Sequence, residues 1–150
     1  MPALGVVCSG FLLAVLWMDL MFDVQTLRYS ARRGDLPEPV VASIAAYYRR
    51  VTTEAKPMGY LVGIVMGILT LLLLRDLAQR VTVQRLVALL LAAVPIGLAL
   101  TRIFPSAIRL GRRGDSLAVQ SQLARTICRA HLLCFAAMSA LTALELLAME

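Results

Sequence analysis

MGYLVGIVMGILTLLLL, residues 58–74, contains no charged side chain. As a helix rising 1.5 Å per residue it extends about 25 Å, close to the hydrocarbon thickness of a bilayer. The same pattern recurs on both sides of it, in ALGVVCSGFLLAVLWMDLMF (3–22), RLVALLLAAVPIGLALT (85–101) and CRAHLLCFAAMSALTALELLA (128–148). The runs at 58–74 and 85–101 are short and need flanking residues to complete a crossing. Only 16% of the 150 residues are charged and 60% are hydrophobic, too few polar groups to coat a soluble domain of this size. The expected fold is all-α: one integral membrane domain over 1–150, a polytopic four-helix bundle. The first run has no basic residue before it, carries Asp19 and lacks a clear small-residue cleavage site, so it reads as a retained span rather than a signal peptide.

The basic residues give an orientation. Arg28, Arg32, Arg33, Arg49, Arg50 and Lys56 lie between the first two runs, and Arg102, Arg109, Arg112, Arg113, Arg125 and Arg129 follow the third. Only Arg75, Arg80 and Arg85 lie in the turn between the second and third, and the chain ends carry none. The positive-inside rule then puts both long loops in the cytoplasm and both termini outside. An Ala-, Leu- and Arg-rich chain of this kind suits a bacterial inner membrane. The net charge of +6 fits anionic inner-leaflet lipid beside the spans and gives no reason to expect nucleic acid as a partner. RRGD occurs twice, at 32–35 and 112–115, each time after an inward crossing. Its arginines suit the headgroup level, its Gly the end of one helix and its Asp the cap of the next. The repeat also hints at two tandem hairpins.

Both loops carry structure of their own. In LPEPVVASIAAYYRRVTTEAKP (36–57), Val40, Val41, Ile44, Ala45, Tyr48 and Val51 recur at helical spacing behind Pro37 and Pro39. This predicts an amphipathic loop-one helix on the inner leaflet, with Tyr47 and Tyr48 at headgroup level. From Ser116 to Glu150 there is neither Gly nor Pro. A fourth helix of about 50 Å, capped by Asp115 or Ser116, should therefore project some three turns into the cytoplasm.

Gly59, Gly63 and Gly67 form a GxxxGxxxG stripe, the spacing that lets two helix backbones approach closely in lipid. Packing inside the bundle is the expected use; a homo-oligomer or membrane-protein partner seam is the other. Pro95 should kink the third span. Cys8, Cys128 and Cys134 show no CxxC spacing and read as free, buried thiols.

Ionisable groups within spans are the candidates for function. Asp19 and Asp23 stand one turn apart, and Arg102, Arg129, His131 and Glu54 fall at the same depth on the other three spans. Asp19 and His131 are the deeper pair and the candidate catalytic groups; Asp23, Glu54, Arg102 and Arg129 are candidate binding residues. A salt-bridge layer that registers the bundle, through Asp19–Arg129 or Asp23–Arg102, explains the same pattern. Glu145, alone near the outer end, reads as an interfacial anchor. One histidine is too few for bis-histidine haem, and no metal set, P-loop, dinucleotide fingerprint or GxSxG motif is present, so no metal and no cofactor are expected.

YYRRVTTEAKPMGYLVGI (47–64) and ARTICRAHLLCFAAM (124–138) resemble the anthrone-oxygenase-like family of small four-span membrane proteins. That resemblance implies cofactor-independent oxidation of a polycyclic phenolic substrate, with His131 or Asp19 as base. RRVTTEAKP also resembles the ExxP motif of the glutathione-using MAPEG family through Glu54 and Pro57. The expected role is an accessory or interaction protein of a membrane system; the alternative is a small membrane enzyme acting on a hydrophobic molecule by oxidation or glutathione transfer.

Overall fold

The computed structural model describes residues 2–29 and 34–148, which are helical without a strand. Arg32 and Arg33 of the first RRGD stretch lie outside the described residues. The helices are α1 (Pro2–Asp23), α2 (Glu38–Arg49), α3 (Lys56–Gln79), α4 (Val83–Leu98), α5 (Phe104–Arg112) and α6 (Leu117–Leu147). Within the described residues, four stretches are long and apolar enough to cross a membrane: Ala3–Tyr29, Pro57–Gln79, Val83–Arg112 and Leu117–Leu147. The protein is an integral membrane four-helix bundle. α1 runs antiparallel along α6, and α3 closes the ring by packing on α1 and α4, which itself packs on α6.

The third crossing is longer than its apolar run. α4 passes through a π-turn, Ala99–Ile103, into α5 without a break. Pro105 follows directly, and its missing N–H and its ring disturb the carbonyl four residues earlier. A wider turn is one way a helix absorbs that fault. The predicted loop is thereby reduced to Arg113–Ser116, between α5 and α6. Arg113 adopts the left-handed conformation at φ 55°, the position expected for Gly114. Ser116, not Asp115, caps α6, its Oγ accepting from Val119 N. Asp115 instead accepts from Arg109 at Nε and Nη2, both at 2.8 Å, and that guanidinium holds its carboxyl below the usual range.

α2 does not lie on a lipid surface. Val41, Ile44, Ala45 and Tyr48 are buried, packed with Ala107 and Leu110 of α5 and Ala124 and Ile127 of α6. The amphipathic face predicted for α2 is present, but it packs on protein rather than lipid. Leu36 precedes it, fully buried, its N–H donating to Ser121 Oγ at 2.9 Å, and Arg125 donates to Gly34 O at 2.8 Å. Arg113 pairs with Glu38. The first three turns of α6 thus have α2 and α5 as neighbours rather than projecting bare. Cys8, Cys128 and Cys134 are free and buried, as expected.

The glycine stripe is also corrected. Gly59, Gly63 and Gly67 are exposed, and a Cβ on any of them would meet nothing within 4 Å. The close approach occurs at Gly111, where a Cβ would stand 2.9 Å from Arg49 N and 3.0 Å from its Cα. Backbone atoms there cannot step aside as a flexible side chain would. Gly111→Ala should therefore cost about 1–3 kcal/mol by forcing α5 away from α2. Gly67→Ala, a helical site with open space, should be neutral. Thermal unfolding in one detergent compares them; equal midpoints would mean that the α2–α5 seam is not tight.

Candidate functional site

The last turn of α1 carries Asp19 and Asp23 on one face, because four residues make slightly more than one helical turn. Both point at α2 and α6. Tyr47 OH donates to Asp19 Oδ1 at 2.6 Å, and Tyr48 OH donates to Asp23 Oδ1 at 2.7 Å. His131 Nδ1 lies 2.6 Å from Asp23 Oδ2. Asp23 and His131 are buried, Asp19 nearly so. Phe22 stacks on Tyr47 with ring centroids 4.1 Å apart and holds that ring in place.

The hydrogen-bond count assigns the protons. Burial first, then the carboxylates Asp19 beside Tyr47 and Asp23 beside Tyr48, push both phenols well above their ordinary value. They therefore remain O–H donors. With Tyr48 donating to one oxygen of Asp23, the other is satisfied by a proton on His131 Nδ1. In the neutral imidazole Nε2 then carries the lone pair; it lies 3.7 Å from Asp19 Oδ2, beyond hydrogen-bond range. The result is a carboxylate-oriented imidazole with its free nitrogen beside a second carboxylate.

Asp19, Tyr47, Tyr48 and His131 form the polar patch of a cavity of about 610 Å³. Most of the remaining wall is apolar, including Leu16, Met66, Pro95, Phe104, Ala107 and Met138. Two π-turns border it: Arg50–Glu54, which follows α2, through Val51 and Thr52, and Ala99–Ile103 through Ala99 and Ile103. Met58, Tyr60 and Ile108 line it and are exposed, and α3 makes no helix–helix seam with α5. The cavity therefore reaches the surface beside the first turns of α3 and α5.

Of the residues singled out from sequence, Asp19, Asp23 and His131 come together. Arg102 and Arg129 do not; both are exposed and turned from the cluster. Glu54 pairs instead with Arg49 at 2.9 Å on the surface. The postulated Asp19–Arg129 and Asp23–Arg102 bridges are absent among the described residues, and two tyrosines occupy the positions expected of arginine. Tyr48 carried a signal that went unused: it belongs to the apolar stripe of α2, and a buried phenol needs a partner. Glu145 abuts Gly5 near the opposite end of the bundle. Among the described residues no three His, Cys, Asp or Glu side chains converge as metal ligands.

No family model, curated protein or solved structure matches this chain.

Proposed function

We propose that this protein admits a hydrophobic small molecule from the bilayer into the cavity and exchanges a proton with it through the Asp23–His131 pair. One observation carries the reading: the polar patch of a mostly apolar cavity between the helices holds an imidazole oriented by a buried carboxylate. Asp23 fixes the ring and stabilises the imidazolium formed when Nε2 accepts a proton, and Asp19 lies beside that charge. Of the two bases that the anthrone-oxygenase-like resemblance implies, this arrangement favours His131. The arginine-rich end, with α2 and α5, is proposed to face the cytoplasm of a bacterial cell, on the charge bias alone.

Native mass spectrometry from mild detergent tests the reading. The wild type should retain a small molecule. Gly59→Phe should lose it with little change in thermal stability, since Gly59 lines the cavity and has open space at its Cβ. Equal retention by both proteins, or none in the wild type, would sink the proposal. A second reading, an accessory subunit or homo-oligomer, is favoured by the outward Gly63 and Gly67. The same spectrum reads it as a second chain whose mass is lost in Gly63→Leu.

A further inference from the structure

We infer that the ligand of this cavity carries a protonated amine, a primary or secondary ammonium on a hydrophobic body. The inference rests on the cavity reading above and adds the chemistry of the head group. The hydroxyl protons of Tyr47 and Tyr48 are already given to Asp19 and Asp23, and the Nδ1 proton of His131 to Asp23. What remains for a ligand is acceptors: Asp19 Oδ2 and, in the neutral imidazole, His131 Nε2, 3.7 Å apart. One nitrogen at ordinary hydrogen-bond distance, about 2.9 Å, reaches both. An ammonium supplies the two donors required, an alcohol supplies one, and a carboxylate supplies none while adding negative charge.

Charge counting points the same way. α1 contributes two carboxyls, Asp19 and Asp23; α2 contributes the phenols Tyr47 and Tyr48; α6 contributes His131, with Cys128 one turn before it. Among the described side chains, those of α3, α4 and α5 that line the cavity include no charged group, and no Lys or Arg lines it. Two carboxylates and one neutral imidazole carry a net charge of −2, which one ammonium halves. A buried net charge is costly, so the site favours a cationic head group over a neutral or anionic one. The absence of convergent metal ligands among the described residues favours an organic cation over a metal ion.

The test uses the full chain in phosphatidylcholine nanodiscs, titrated with dodecylamine and with dodecanol, for wild type and Asp19→Asn. The wild type should bind the amine about tenfold or more tightly than the alcohol, the worth of one charge-assisted hydrogen bond. In Asp19→Asn that ratio should fall to within about threefold. Equal binding of amine and alcohol by the wild type overturns the inference and leaves the cavity reading standing; binding of neither overturns both. An undiminished preference in the variant also overturns the inference. Should the variant fail to fold, the wild type decides with dodecyltrimethylammonium, which has the same charge and no N–H donor: it should bind about tenfold or more weakly than dodecylamine, and equal binding of the two cations overturns the inference.

Discussion

Asp23→Ala should destabilise the protein by about 2 kcal/mol or more, the loss when the acceptor shared by two buried donors is removed. Asp23 has no exposed surface and accepts from both Tyr48 and His131. Its removal leaves two buried donors facing a methyl group, and an unsatisfied buried donor costs about 1–3 kcal/mol. Asp19→Ala should cost less, because its carboxylate is 16% exposed and only Tyr47 lies within hydrogen-bond range. Unfolding in a graded denaturing detergent would rank the two. A double-mutant cycle adds the decisive term: Asp23→Ala with His131→Ala should cost at least about 1 kcal/mol less than the sum of the single changes, because each alone strands the other's partner. Additive losses, or a loss under about 1 kcal/mol for Asp23→Ala, would mean that water reaches the pair.

What could be read from the chain was depth; what could not was azimuth. Linear position along an apolar run gives the level of a residue in the membrane, and so Asp19, Asp23 and His131 were placed together correctly. Arg102 and Arg129 stand near the same level and point elsewhere. For Arg129 the helix itself gave warning: two residues of separation turn it about 200° from His131, so both cannot face one site. For the glycines there was no such warning. α3 is apolar all round, lipid is as apolar as a helix interface, and no polar face marks the outside. Gly111 could not be recognised because its reason is a neighbour 62 positions away, the backbone of Arg49. The π-turn before Pro105 was equally hidden, since the helix could have ended there instead of widening.

The placement of α2 decides whether the cavity has a floor, and Ile44 tests it. On a lipid surface Ile44 would trade one apolar surrounding for another, and Ile44→Ala would change stability little. Buried instead at 0% exposure between α5 and α6, it leaves a hole when truncated. The surroundings refill such a hole only in part, so the loss should be about 2 kcal/mol, near the low end for Ile→Ala because lipid reduces the transfer contribution. Ser43→Ala, exposed on the opposite face, should be silent. The consequence extends to the site. Tyr47 and Tyr48 lie within a turn of Ile44 and hold both carboxylates, so a loosened α2 should also weaken retention of the small molecule in the native spectrum. Full stability in Ile44→Ala would return α2 to the lipid surface and remove the tyrosines from the site. Lost stability with undiminished retention would separate the fold of α2 from the function of the cavity.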